Sequence, residues 1–150
     1  MRFKYFKKIA VFIIVAIFFV SADRFLKILA FSNNRHEFNL IGEILKFNFK
    51  KNYYIAFSLP LAGEALIILI ELIIIVLALF CLHCVKKGKY RELIPLSLII
   101  LGASSNLYDR IKYGFVIDYL DLKYFTVFNL SDAMIVSGIF LLLIIKSFKN

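Results

Sequence analysis

Two aspartates in apolar surroundings are the residues of this sequence best placed to do chemistry. Asp118 lies within the short apolar segment 116–120, and Asp132 stands fourteen residues later, at the start of a long apolar segment. An isolated carboxylate in such surroundings costs free energy unless it takes up a proton or finds partners. A loop of this length can bring the two carboxyl groups together, and we then expect them to titrate as a coupled pair that shares one proton.

A carboxyl pair that holds one proton can hydrolyse a peptide bond. The ionised member takes a proton from water, and the protonated member donates a hydrogen bond to the scissile carbonyl. Asp109 and Asp121 are competing acids, but we expect Asp109 to face the lipid headgroups and Asp121 to meet solvent. Asp132 also has a structural interpretation: Asn129 is a good helix N-cap, and Asp132 stands where the acid of a capping box belongs. That role, worth about 0.3–1 kcal/mol, and the catalytic one both remain open from the residues alone.

The composition indicates a membrane protein. The chain has 150 residues, 62% of them hydrophobic, with a mean hydropathy of +0.86, whereas a soluble domain is about half apolar. The apolar residues fall into blocks of the length that a bilayer requires. We therefore expect an all-α membrane fold, a four-transmembrane-helix bundle that forms one domain over residues 1–150. The predicted spans are about 5–29, 62–84, 93–107 and 131–148.

The positive charges predict the orientation of this bundle. The net charge is +9, and basic residues cluster before the first apolar block, between the second and third, and after the fourth. This distribution follows the positive-inside rule and does not suggest nucleic-acid binding. Both termini are then cytoplasmic, and the acids lie on the extracytoplasmic face. The clusters consist of Arg2, Lys4, Lys7 and Lys8, then Lys86, Lys87, Lys89 and Arg91, then Lys146 and Lys149.

The N-terminal segment resembles a secretory signal peptide, with a basic start, an apolar run and a possible cleavage site at 20–22. The apolar pattern resumes after that site, so we expect a retained helix over about 5–29. Asp23 and Lys27 are four residues apart and share one face of this helix at its outer end. Taken alone, they form an ordinary interfacial ion pair in which Lys27 reaches water.

A small extracytoplasmic β-element is predicted over about 32–58. A turn is expected at 33–34, and segments 37–41 and 44–49 alternate between apolar and polar residues around Gly42 and Glu43, which predicts a hairpin. Two strands are marginally stable alone, so the hairpin must rest on the bundle or on the bilayer. Near the end of the third span, Gly102 begins a run of small residues, which predicts close helix packing.

The other reactive side chains of the sequence suggest no competing chemistry. His36 and His83 are predicted on opposite sides of the membrane, and no serine has a suitable histidine base. Cys81 and Cys84 have the spacing of a redox pair or half a zinc site, but no second cysteine pair exists, so we expect packed thiols, no metal and no cofactor. Glu71 lies within the second span and is a proton carrier or a structural group. It best supports the alternative of a non-enzymatic membrane protein, a transporter subunit or an assembly factor.

Four blocks of the sequence resemble the lipoprotein signal peptidase family, the bacterial signal peptidases of type II. Residues 23–27, DRFLK, resemble D-x-x-x-K, and residues 52–58, NYYIAFS, resemble N-x-G-x-A-F-S. Residues 102–118 are similar to G-x-x-G-N-x-x-D-R followed by G-x-V-x-D, and residues 128–132, FNLSD, resemble F-N-x-A-D. The resemblance covers nearly the whole chain, and four blocks in this order are highly specific together.

The resemblance implies an aspartic endopeptidase in the bacterial cytoplasmic (inner) membrane. It implies that the enzyme removes the signal peptide of prolipoproteins before a diacylglyceryl-modified cysteine, next to membrane lipids, and that globomycin inhibits it; we expect a monomer. Asp118 and Asp132 match the family's catalytic pair. The matched residues that line or shape the site are Asn52, Gly102, Asn106, Arg110 and Asn129, with Asp23 and Lys27 nearby.

Three residues depart from the family pattern. Tyr54 and Ser105 stand where the family has glycine, and Ser131 replaces an alanine beside Asp132. Tyr54 is the largest change, because glycine often permits a backbone angle that tyrosine disfavours. We therefore expect the shape of that loop to differ, and the acid pair to be unaffected.

Overall fold

The computed structural model describes residues 2–33, 36–54 and 62–148, which form a mostly helical protein with one small antiparallel sheet. The long helices lie where the apolar blocks predict them, and a short 3₁₀ turn precedes the third. They are α1 (Arg2–Ser32), α2 (Gly63–Lys86), α3 (Leu93–Tyr113) and α4 (Leu130–Ser147). The strands are β1 (Phe38–Ile41), β2 (Leu45–Asn52), β3 (Val116–Leu122) and β4 (Val127–Phe128).

Two of the described helices, α2 and α4, are long and apolar enough to cross a membrane. α3 ends in polar and charged residues, among them Asp109 and Arg110, which lower its mean hydropathy. α1 runs without interruption through residues 20–22, where the sequence resembles a cleavage site. Helices are therefore present at the four predicted positions, and length and composition mark two of them as spans.

The sheet is larger than the predicted β-element. β1 and β2 form the expected hairpin, with Gly42 at a positive φ of 50° in the connection. The sequence predicts residues 116–120 only as a short extended segment, but β3 pairs with β2 on one side and with β4 on the other, in the order β1-β2-β3-β4. The predicted turn at 33–34 and the loop after Tyr54 lie partly outside the described residues.

An apolar cluster joins the sheet to α1. It contains Ala30 from α1, Phe47 from β2, and Phe115, Ile117 and Tyr119 in and beside β3. The chain reaches β3 from α3 through Gly114, whose φ of 78° ends the helix in the left-handed conformation. This cluster therefore holds β3 against α1.

Close packing of α3 against α4 depends on two glycines. A Cβ atom on Gly102 would lie 2.5 Å from the backbone oxygen of Ser131 in α4. A Cβ atom on Gly138 of α4 would lie 2.6 Å from the backbone oxygen of Pro95 in α3. The predicted close helix approach at Gly102 is confirmed, and it sets the position of the first turn of α4.

Candidate active site

Asp118 projects from β3 on the face opposite to the apolar cluster. Successive side chains of a strand point to opposite faces, so Ile117 and Tyr119 enter the cluster while Asp118 points away from it. Asp118 is nevertheless only 2% exposed. Its carboxyl oxygens accept hydrogen bonds from Nδ2 of Asn129 at 2.6 Å and from Nδ2 of Asn52 at 3.0 Å.

Asp132 lies in the first turn of α4, as the capping pattern predicts. The side chain of Asn129 accepts a hydrogen bond from the backbone N–H of Asp132 at 2.9 Å, and Asp132 Oδ2 accepts one from the backbone N–H of Asn129 at 3.1 Å. This reciprocal pair is a complete capping box. The structural interpretation of Asp132 is therefore confirmed, and it leaves Oδ1 free for Nδ2 of Asn106, at 2.8 Å.

One asparagine side chain joins the two acids. Asn129 donates through Nδ2 to Asp118 and accepts through Oδ1 from the backbone of Asp132. The structure thus brings Asp118 and Asp132 together around a buried amide at the entrance to α4. The residue that caps the helix is therefore also the one that contacts both carboxyl groups, through its side chain and its backbone N–H.

Burial and charge favour the protonated form of Asp118. Loss of solvent, and then the neighbouring charge of Asp132, raise the pKa of Asp118 from 3.8 to about 7. The amides of Asn52 and Asn129 oppose this shift by donating to the carboxylate, but they do not cancel it. Near neutral pH the pair can therefore hold one proton between its two members, as acid–base hydrolysis requires.

A buried ionic cluster lies beside the pair. Lys27, only 1% exposed, contacts Asp23 Oδ2 at 3.1 Å and Asp109 Oδ2 at 2.8 Å through its ammonium group. Arg24 contacts the other Asp109 oxygen at 2.6 Å. Two expectations are therefore wrong: Lys27 does not reach water, and Asp109 does not face the headgroups. Both are held inside because each neutralises the other, which makes their burial tolerable.

Two residues that differ from the family pattern, Ser105 and Ser131, contact the same carboxylate oxygen of Asp23. Ser105 of α3 and Ser131 of α4 both donate their hydroxyl protons to Asp23 Oδ2, at 2.7 and 2.8 Å. The phenol of Tyr119 donates to Asp23 Oδ1 at 3.0 Å and accepts from the backbone N–H of Leu130 at 3.1 Å. Asp23 thus ties α1 to α3, α4 and β3, whereas the sequence places it only near the site.

Another side of the site is formed by Asn52, Tyr54 and Arg110. Oδ1 of Asn52 accepts from the backbone N–H of Tyr54 at 3.1 Å, which turns Nδ2 toward Asp118. The carbonyl of Tyr54 accepts from the Arg110 guanidinium at 2.9 Å. Tyr124 is the one non-glycine residue with positive φ in the described part of the chain. Tyr54 itself therefore has no left-handed backbone, while the predicted change in the shape of the loop concerns a segment that continues through residues 55–61, which lie outside the described residues.

Sequence reasoning missed Arg24 and Tyr119, and misjudged Asp109. A signal for Asp109 was available: Gly102, Asn106 and Asp109 recur at intervals of three and four, so they share one face of α3. No comparable signal exists for Tyr119, because its contact with Asp23 depends on the pairing of distant elements. Outside the site, Asp121 accepts from Asn48 at 3.4 Å.

Comparison with other proteins identifies the family. Residues 14–149 match the sequence profile of signal peptidase (SPase) II. The chain belongs to the signal peptidase II family. It is 41% identical over 104 residues to a lipoprotein signal peptidase of Caldicellulosiruptor bescii, covering 69% of this chain and 68% of that one. A lipoprotein signal peptidase of Clostridium novyi is 29% identical over 139 residues, covering 88% and 94%.

The fold comparison agrees with the family. A bacterial membrane enzyme solved by the in meso method at 2.3 Å superposes with a TM-score of 0.77 at 25% identity, covering 91% of this chain and 87% of that chain. The expectation of a peptidase that removes signal peptides from prolipoproteins is confirmed through the signal peptidase II family, and the non-enzymatic alternative is not favoured. Glu71, its best support, is exposed on α2.

Proposed function

We propose that this signal peptidase II is an aspartic endopeptidase whose catalytic groups are Asp118 and Asp132, and that it cuts prolipoproteins before a diacylglyceryl-modified cysteine. The observation that carries the proposal is the joining of both carboxyls by Asn129 at the start of α4. The raised pKa of Asp118, about 7, supports a pair that holds one proton at neutral pH. No cofactor is needed for this chemistry.

Each step of hydrolysis has a group to perform it. The ionised carboxyl takes a proton from the attacking water, and the protonated carboxyl donates to the scissile carbonyl as negative charge develops there. As the C–N bond breaks, the carboxyl that took the proton from water passes it to the leaving amine, and the other carboxyl keeps its proton, so the pair again holds one proton. Asn52 and Asn129 hold the carboxyl of Asp118 in one orientation, so little reorganisation is needed during reaction.

The proposed orientation puts the site at the outer face of the bacterial cytoplasmic membrane, in a monomer with four spans and cytoplasmic termini. Asp23 and Lys27 lie near the C-terminal end of α1, Asn106 near that of α3, and Asp132 at the N-terminal end of α4, so the three helix ends meet. The basic clusters lie at the opposite helix ends. A lipidated cysteine keeps its acyl chains in the bilayer, so a bond beside it is presented at this border.

The test is cleavage of a diacylglyceryl-modified prolipoprotein by purified protein. Asp118→Asn and Asp132→Asn should each abolish cleavage while the protein keeps its fold, as measured by circular dichroism and thermal unfolding. Asp121→Asn is the matched control, because Asp121 is an acid on the same strand and lies outside the site. Full activity in either of the first two variants would remove that residue from the catalytic role.

Substrate class and inhibition are tested with the same assay. The unlipidated prolipoprotein should be cut far more slowly than the lipidated one, because the acyl chains localise the substrate at the membrane border. Globomycin should compete with the lipidated substrate. Equal rates on both substrates would contradict the proposed dependence on the lipid, but not the assignment of Asp118 and Asp132 as the catalytic groups.

A further inference from the structure

The ammonium group of Lys27 has all three of its hydrogens in use. Nζ contacts Asp23 Oδ2 at 3.1 Å, Asp109 Oδ2 at 2.8 Å and Asn106 Oδ1 at 2.8 Å, and the side chain is buried. An ammonium group has three donors and no acceptor. Whatever lies against it must therefore present an acceptor. The two carboxylates do so in any orientation, but the amide of Asn106 does so in only one.

The contact with Lys27 decides which way the Asn106 amide faces. With Oδ1 toward Lys27, Nδ2 points at the carboxyl of Asp132 and donates to Oδ1 at 2.8 Å. Asn129 strengthens the same orientation by donating to Asn106 Oδ1 at 3.2 Å. A flipped amide would place donors against Lys27 and Asn129, and an oxygen against the carboxylate of Asp132. All three contacts would become repulsive.

We infer that Lys27 is a positioning residue for catalysis: by fixing the Asn106 amide, it supplies Asp132 with a donor that keeps this carboxyl ionised and leaves the shared proton on Asp118. This inference rests on the proposed function, because it assigns roles within the proposed pair. Asp132 then has a donor on each oxygen, from Asn106 and from the backbone of Asn129, at the positive end of a helix dipole.

The charged groups around Asp132 agree with this assignment. Asp118 faces it from β3, Lys27 and Asp23 from α1, and Arg110 from α3. The two cations and the donors from Asn106 and Asn129 favour an ionised Asp132, whereas its burial and the two acids oppose it. Asp118 also has a donor on each oxygen, from Asn129 and from Asn52, but it lacks a helix terminus of its own, and burial raises its pKa to about 7. The proton therefore rests more favourably on Asp118.

A purely structural role for Lys27 is the competing explanation. Lys27 and Arg24 balance the charges of Asp23 and Asp109, so Lys27→Met alone would leave a buried carboxylate without compensation and would destabilise the fold. Two variants separate positioning from charge balance. Lys27→Met/Asp109→Asn removes one charge of each sign. Asn106→Asp keeps an acceptor for Lys27 and removes the donor to Asp132.

The experiment measures thermal unfolding, kcat and KM between about pH 4 and 9 with a lipidated prolipoprotein. Both variants should unfold closer to wild type than Lys27→Met does. Their kcat should fall by about 10- to 100-fold, the usual worth of a hydrogen bond to a charged group, with little change in KM. The acidic limb of the kcat/KM profile should move to higher pH, because the ionised form of Asp132 has lost a fixed donor in both variants and, in Asn106→Asp, also faces a second carboxylate.

Asp109→Asn alone is the matched control. It alters the same ion cluster but leaves the contact between Lys27 and Asn106, so its acidic limb should stay at the wild-type pH whatever its rate. The inference is overturned if Asn106→Asp keeps the wild-type limb, or if Lys27→Met/Asp109→Asn recovers kcat together with stability. Neither result would contradict the proposed function, which fails only if the Asp118→Asn or the Asp132→Asn variant remains active.

Discussion

The two glycines between α3 and α4 allow activity to be separated from stability. Gly102 and Gly138 each lie where a Cβ atom would overlap the neighbouring helix. The nearest atoms would be at 2.5 and 2.9 Å for Gly102, and at 2.6 and 2.6 Å for Gly138. In each case one of them is a backbone oxygen, which cannot rotate away. Alanine at either position must therefore push the helices apart, at a cost of about 1–3 kcal/mol.

The two substitutions differ in what they displace. Alanine at Gly102 meets the backbone of Ser131, the residue next to Asp132 in the first turn of α4. Gly138 lies seven residues further along α4, about 10 Å from Ser131 at the usual helical rise. A shift of about 1 Å in a reacting group can lower a rate by about 100-fold. We therefore expect Gly102→Ala to lose about 100-fold in kcat, and Gly138→Ala only a few-fold.

The assay combines thermal unfolding with cleavage of a lipidated prolipoprotein at a temperature where both variants are folded. Similar losses of stability and unequal losses of kcat are expected. Equal losses of kcat would mean that the site does not depend on the local position of the α4 N-terminus. Wild-type activity in Gly102→Ala would refute the reasoning outright, because the displaced backbone carries the capping box.

The protonation of Asp118 and the serines that donate to Asp23 give further tests. Because the pKa of Asp118 is about 7, kcat/KM should fall as the pH rises through that value and the shared proton is lost. The same raised pKa means that stability falls as the pH rises from about 4 to 7, by up to about 4 kcal/mol. Asp118→Asn should reduce this dependence when unfolding is measured against pH. Ser105→Gly and Ser131→Ala should each destabilise the fold by about 1–3 kcal/mol. Because both hydroxyls donate to one oxygen of Asp23, a double-mutant cycle should show that the two effects on stability are coupled. Strictly additive effects would contradict this expectation.

Features with a local cause were predictable from the sequence. The helices follow from apolar blocks, and the capping box follows from Asn129 and Asp132 three residues apart. The hairpin of β1 and β2 follows from alternation around Gly42. Each of these patterns is fixed by residues within a few positions of one another, so no knowledge of the tertiary fold is needed.

Features with a distant cause were not predictable. The place of β3 at the centre of the sheet depends on pairing with β2 across about seventy residues of chain. The burial of Asp109 depends on Lys27 and Arg24 from another helix, so its own neighbours in sequence give a misleading picture. The backbone of Tyr54 depends on distant residues too. A glycine in the family pattern suggests a special backbone angle, but the hydrogen bonds of Asn52 and Arg110 hold this turn with tyrosine.

The contacts around the two acids also explain why the site requires residues from several helices and strands. Asp118 belongs to β3 and is oriented by Asn52 from β2, while Asp132 is oriented by Asn106 from α3, whose amide is in turn fixed by Lys27 from α1. Every link joins two elements distant in sequence, and most of the polar atoms involved are buried. A buried donor or acceptor that loses its partner is costly, so partial assembly is unfavourable. The acid pair should therefore form in the same cooperative step that packs the sheet against α1, α3 and α4, and no two helices alone could hold it.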